Sequence, residues 1–172
     1  MSAPAHFTTP FPNALIECST MTVPEEWIDY NGHMNIGFYL LAFDRSQDVL
    51  FDEWLDVGKH YVARTGMGPF ALQAQIHFLK ELRLGERFRV EAQLLDHDHK
   101  RLHYASRMVN LETGAVAAIS EGLSINVNLT ERRSAPYPEA QVRRLGELLE
   151  AQRDVPVPPQ VGATIGIRRA SS

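Results

Sequence analysis

The residues best placed to do chemistry stand in one short run, Asp29-Tyr30-Asn31-Gly32-His33-Met34-Asn35, directly ahead of the apolar stretch IGFYLLAF. Two readings of this run are open. Asn and Gly are ordinary start signals for a helix, so the motif can be local punctuation. The first turn of a helix also presents backbone N–H groups without intrahelical partners. A carboxylate beside those donors, here Asp29, is placed to attack whatever they hold. His33 has a side chain suited to proton transfer, but a suitable pKa by itself proves little. Asn31 and Asn35 read as caps, and Gly32 as a position where the missing Cβ lets another group approach the backbone.

Other polar positions compete with this one. Glu121 falls on the same strand face as Ile119, Leu123, Ile125, Val127 and Leu129. A carboxylate on an apolar face is costly unless paired, so it either meets an arginine or faces a polar cavity. Asp96, His97, Asp98, His99 and His103 could suggest a metal centre, but DHDHK lacks an established ligand spacing and reads as a solvated hairpin tip. No metal is expected.

The elements that must position the motif follow from periodicity. The first fourteen residues, with Pro4, Pro10 and Pro12, read as an extended arm, followed by a short strand over residues 15–23. Ile36, Leu40, Phe43, Leu50 and Trp54 recur near helical spacing and predict a long amphipathic helix from Ile36 to about Leu55. Asp44, Arg45, Asp48 and Asp52 make up much of its remaining surface. Gly58 ends its main part, and HYVAR adds a short turn. Beyond Pro69 the period becomes two: Phe70, Leu72, Ala74, Ile76 and Phe78 alternate, then Phe88, Val90, Ala92 and Leu94, then RLHYASRMVN and AAISEGLSINVNL. Short connections imply antiparallel neighbours, and the one long helix must cover a sheet face. The expected architecture is α+β, a curved antiparallel sheet wrapped around one central helix. A second, surface helix is expected over residues 138–152, and the Pro-rich tail DVPVPPQVGATIGIRRASS reads as extended or poorly ordered and dispensable.

Composition sets the bounds. The chain has 172 residues, 44% of them hydrophobic and 22% charged, as in an ordinary globular domain. A formal net charge of -4 argues against a general nucleic-acid binder. The N-terminal run has no basic segment followed by an apolar one, and no stretch approaches the roughly 20 apolar residues that span a bilayer. The single cysteine, Cys18, fits a reducing compartment, so a cytoplasmic protein is expected.

Asp29-Tyr30-Asn31-Gly32 before a central helix, extended by His33-Met34-Asn35 and Tyr39 and followed by the strand series, resembles the hot-dog fold of acyl-CoA thioesterases. The match is to the 4-hydroxybenzoyl-CoA thioesterase-like family. EWIDYNGHM, FALQAQIHFLKELRLGERFRVEAQLL and HKRLHYASR further resemble its branch associated with carnitine dehydrogenases and betainyl-CoA hydrolysis. The resemblance implies hydrolysis of an acyl-CoA thioester, with coenzyme A as part of the substrate and no metal or redox cofactor. It implies that Asp29 acts as nucleophile or general base. Backbone N–H groups near Gly32, His33 and Ile36 would polarise the carbonyl, and Tyr30, Asn31, Asn35, Tyr39 and Glu121 would line the substrate site. Arg132, Arg133, Lys100 and Arg101 are available to the CoA phosphates, or are simply solvated. For a quaternary ammonium acyl group, Trp27, Tyr30, Tyr39, Phe43 and Trp54 are the aromatic candidates. The implied assembly is a homodimer or a tetramer of dimers. The hot-dog domain spans residues 1–138, and residues 139–172 form a C-terminal helix and tail rather than a separate domain. The alternatives are a non-catalytic acyl-CoA-binding hot-dog module, which has no need of Asp29, and a hot-dog hydratase, which the missing Asn-Pro step disfavours.

Overall fold

The computed structural model describes residues 11–167. Strand β1 (Ile16–Thr22) leads through a short turn at Glu25–Trp27 to the motif, and helix α1 (Ile36–Val49) follows it. The helix then widens into one π-type turn, Leu50–Trp54, closed by Leu55 N–H on Leu50 O at 3.0 Å. Helix α2 (Lys59–Thr65) and strands β2 (Met67–Phe78), β3 (Arg87–His97), β4 (Arg101–Asn110) and β5 (Val116–Asn128) come next. A two-residue strand β6 (Arg133–Ser134) and helix α3 (Glu139–Ala151) complete the order. The main sheet runs β1-β3-β4-β5-β2, all neighbours antiparallel, and curls around α1. This is the α+β arrangement, a curved antiparallel sheet around one long helix, that the strand and helix periods predict.

Two apolar clusters fill the space between helix and sheet. Tyr39, Ala42 and Phe43 of α1 pack with Phe88, Val90, Met108 and Ala118 near the start of the helix. Leu50, Phe51 and Leu55 pack with Ile16, Ala92, Leu94, Leu102 and Tyr104 near its end, where Leu145 and Leu148 of α3 close the layer. Burying side chains of this size contributes about 1.5–3 kcal/mol each.

Several expectations about faces are corrected. Ile36 and Leu40, assigned to the core stripe, are 65% and 50% exposed, and Tyr39, Ala42 and Ser46 join the expected Phe43 on the buried face instead. Ser46 bonds back to Ala42 O at 2.7 Å, which is how a hydroxyl sits inside the stripe. Asp52 is buried rather than solvated: its Oδ1 accepts the His60 N–H of α2 at 3.0 Å, and Lys59 stands 3.7 Å from Oδ2. In β2 a bulge between Ala71 and Gln73 shifts the register, so Phe70 does not share a face with Ala74, Ile76 and Phe78. Phe70 lies under the Arg132 guanidinium, while Phe78 packs edge-on against Tyr39 of α1.

In β5 the helix-facing residues are the small ones. Gly122 pairs with Tyr104, whose hydroxyl meets Gln47 of α1 and whose ring stands edge-on to Phe51. A Cβ on Gly122 would run into that ring. The large residues Ile119, Leu123 and Ile125 therefore face away from the helix, and Glu121 goes with them.

The tail also differs from expectation. Residues 155–167 lie on that outer sheet face instead of standing free. Gly162 N–H donates to Glu121 Oε2 at 2.8 Å, and Gln75 Nε2 donates to Ala163 O at 2.6 Å. Gln152, buried at the end of α3, anchors the tail's start by donating to Ala14 O at 2.9 Å and accepting from Leu94 N at 2.9 Å. The hydrogen-bonding groups that make this docking possible lie on three separate strands, which a search for a periodic apolar face does not detect. Pro4, Pro10 and the last five residues lie outside the described residues.

Candidate active site

The motif folds as a tight loop pinned at both ends. Ile28 and Met34 form an isolated antiparallel bridge. Inside it, Asp29 N–H donates to His33 O at 3.0 Å and Gly32 N–H to Asp29 O at 2.9 Å. Gly32 has φ of 81°, in the left-handed region where a side chain is strained. Its glycine is thus required by the turn itself. Trp27 O accepts Asn35 N–H at 2.8 Å, and Leu82 O accepts Met34 N–H at 2.8 Å. Leu82 N–H in turn donates to the Tyr39 hydroxyl at 3.1 Å. The loop after β2 therefore forms the second support of the site.

Asp29 is held at both oxygens. Oδ1 accepts Asn31 N–H at 2.8 Å, and Oδ2 lies 3.4 Å from Asn35 Nδ2. Its side chain is only 12% exposed. The Asn35 amide works in two directions, because its Oδ1 caps the helix by accepting Gly37 N–H at 3.0 Å. One side chain thus ties the carboxylate to the first turn of α1. Phe38 N–H reaches Asn35 O at 3.0 Å, so the Ile36 N–H is the first-turn donor left without a partner among the described residues. His33 Nδ1 lies 3.2 Å from Met34 O and 4.0 Å from Asp29 Oδ1, too far for a hydrogen bond to the carboxylate.

The remaining sequence candidates divide. Tyr30, Asn31 and Gly32 stand at the exposed tip of the loop, with Tyr30 97% exposed. Tyr39 is buried, its ring against Phe78 and its hydroxyl committed to Leu82; burial is the main cause that raises its pKa. Glu121 is on the face of the sheet opposite the helix, bonded to His103 Nε2 at 2.8 Å and to the tail, so its partner is a histidine rather than an arginine. Partial burial pushes its carboxyl up, but the Gly162 N–H, His103 and His77 outweigh that and hold it below the usual range. It borders a hollow of about 340 Å³ shared with Gln73, Gln75, His97, Arg101 and His103.

The aromatic candidates are dispersed. Trp27 stacks on Phe38, Phe43 is core, and Trp54 packs with Phe11 at the far end of the helix. At the hairpin tip, burial raises the Asp98 carboxyl, but the N–H groups of Lys100 and Arg101 and the Arg101 guanidinium prevail and set its pKa at about 2. Among the described residues no group of three or more His, Cys, Asp or Glu is arranged to hold a metal ion, and no helix is long and apolar enough to cross a membrane.

Two supports of the site are not evident from the motif. Leu82 acts through its backbone from an irregular loop that carries no pattern. Phe38 sits one residue before Tyr39 and is selected only by its stack on Trp27, at 5.4 Å between centroids.

A carboxylate fixed beside an unpaired N–H at a helix start is an arrangement for attack on a polarised carbonyl. Comparison with known proteins agrees with that class. The model of the thioesterase-like superfamily matches residues 23–145. The chain is 38% identical over 142 residues to a betainyl-CoA thioesterase of Pseudomonas aeruginosa, covering 83% of this chain and 89% of that one. A putative thioesterase of Pseudomonas putida superimposes with a TM-score of 0.76 at 34% identity, covering 90% of this chain and 98% of that chain. A Staphylococcus aureus protein solved in complex with CoA superimposes with a TM-score of 0.82 at 26% identity, covering 94% of this chain and 100% of that chain. The curled sheet around one helix is thus a hot-dog thioesterase fold, and the chain belongs to the thioesterase-like superfamily. Its activity is that of an acyl-CoA thioesterase, releasing free acid and CoA.

Proposed function

We propose that Asp29 is the catalytic carboxylate of this hydrolysis and that the N–H of Ile36 receives the thioester oxygen. The observation that carries the reading is the Asn35 side chain, which bonds toward Asp29 Oδ2 with one end and caps Gly37 with the other. The carboxylate and the donor-bearing turn are thereby held as one unit. As negative charge grows on the carbonyl oxygen, the helix N-terminus stabilises it. Asp29 either attacks the carbonyl carbon, expelling CoA thiolate and leaving an anhydride for water to open, or takes a proton from an attacking water. Gly32 and His33 shape the loop, Tyr30 and Asn31 present its exposed tip to the substrate, and Tyr39 supports the site from within the core. Glu121 serves the tail rather than the acyl group.

The acyl group we propose is a small cationic one of the betainyl type, on the strength of the Pseudomonas aeruginosa relative. Among the described residues no aromatic cage is gathered within one chain, so the cation would meet residues of two chains. The assembly we propose is a homodimer joined along β2, because that strand has an unpaired edge and exposes Phe70, Leu72 and Phe78. The buried, unpaired Cys18 is consistent with a cytoplasmic location. The test is a panel of short, branched, aromatic and betainyl CoA esters, read as free thiol. Betainyl-CoA should give the highest kcat/KM. Preference for an uncharged aromatic ester would refute the cationic reading while leaving the carboxylate mechanism standing.

A further inference from the structure

The tail crosses the outer sheet face in the order of the strands. Pro156 and Pro158 lie beside Glu91 of β3 and Ala105 of β4. Gly162 is bonded to Glu121 of β5, and Ala163 to Gln75 of β2. The path thus follows β3, β4, β5 and β2, and β2 is the last strand of the sheet. Next comes Ile165, at a hollow walled by Ile76 and His77 of that edge strand and by Leu79 just past its end. Ile165 and Ile167 are 94% and 88% exposed.

Fixing each tail residue costs about 1–2 kcal/mol of backbone entropy. Among the described residues two side-chain bonds hold the segment on the sheet, yet its two largest apolar side chains find no cover. Ile165 stands at the β2 edge of the sheet, with Ile167 two residues further on, and Phe70, Leu72, Phe78 and Leu79 are exposed along that edge as well. A neighbouring strand added there would lie about 4.8 Å away, and an extended residue advances about 3.3 Å. Residues 165–167 therefore reach whatever pairs with β2.

We propose that residues 165–167 form an intersubunit clip, in which Ile165 and Ile167 of each chain pack on the outer sheet face of a second copy across the β2 seam. The inference rests on the β2 homodimer proposed above. A second copy is the occupant because the tail meets the sheet's open edge, and two-fold pairing along that edge places each tail on the partner's sheet at the same time. Glu121 and Gln75 aim the clip, which gives a carboxylate on this face a structural use.

The test places a photo-crosslinking residue at position 165 in full-length protein, mixing tagged and untagged chains. Irradiation should give a covalent dimer, with fragments joining position 165 of one chain to β2 or β5 of the other. In parallel, sedimentation of the double variant Ile165→Ser, Ile167→Ser should show the dimer dissociation constant raised at least about tenfold, with circular dichroism unchanged. A stable dimer whose crosslinks stay within one chain, or whose dissociation constant is unmoved by the double variant, overturns the clip and leaves the dimer standing. A full-length monomer at micromolar concentration overturns the dimer, and the clip with it.

Discussion

Replacing Asp29 by Asn separates chemistry from architecture, because the geometry bounds what the change does to each. The new Oδ1 can still accept Asn31 N–H, a bond now made at 2.8 Å. The new Nδ2 would face the Asn35 Nδ2 across the present 3.4 Å contact, so that bond is lost. One weakened and one lost hydrogen bond cost about 1–2 kcal/mol. For a domain with the usual 5–15 kcal/mol of stability, about 99% or more of the protein stays folded. Removing the nucleophile or general base costs about 10²–10⁴-fold in kcat, a barrier increase of about 2.7–5.4 kcal/mol at 1.36 kcal/mol per decade. The fold cannot account for a loss of that size. Thiol release from an acyl-CoA ester, with thermal melts on the same samples, should show kcat down by that factor and a melting temperature lower by about 2–8 °C. His33→Ala should do less damage, since its ring does not bond to the carboxylate. An Asp29→Asn enzyme within tenfold of wild type, beside a folded but inactive His33→Ala enzyme, would refute the aspartate mechanism.

Three further outcomes follow from the packing and the ionised groups. Gly122→Ala forces a methyl into the Tyr104 ring, which Gln47 and Phe51 hold in place, and should cost about 1–3 kcal/mol, read as a fall of about 2–12 °C in melting temperature; an unchanged melt would show that the ring moves freely. Glu121 is held below the ordinary carboxylate value of 4.5 because its carboxylate takes the Gly162 N–H and His103, so tail docking is at full strength above that pH and weakens as pH falls through the lower folded value. Hydrogen exchange at residues 155–167 should therefore quicken below about pH 4.5 relative to β3 and β4, and Glu121→Gln should quicken it at neutral pH; equal protection at pH 3 and pH 7 would exclude the latch. Burial, with Glu53 adding to it, raises the Cys18 thiol to about 12, so alkylating reagents at pH 8 should leave it unmodified until the protein unfolds; rapid labelling of native protein would contradict its place in the core.

The sequence by itself determined the elements and the motif. Period-two runs in β3 and β4, a 3.6-period run after Asn35, and Asp29-x-x-Gly32 at the junction specify a helix entered through a loop and wrapped by antiparallel strands. These are local signals: each depends on neighbours within a few residues, and the Asn35 cap and the left-handed Gly32 are written in the residue types themselves. What only the tertiary structure decided is which way each face turns and what distant groups meet. Alternation in β5 cannot say that Gly122 rather than Leu123 faces the helix, because that depends on how closely Tyr104 is pressed against α1. A single bulge in β2 changes the face of Phe70, and a bulge is a property of two paired strands. Leu82, Gln75 and Glu121 gain their roles from partners far away in the chain, through backbone groups or single polar contacts that have no period. The carboxylate of Glu121 looked misplaced on an apolar strand. Only the folded tail, returning across the sheet to offer Gly162 N–H, supplies its reason.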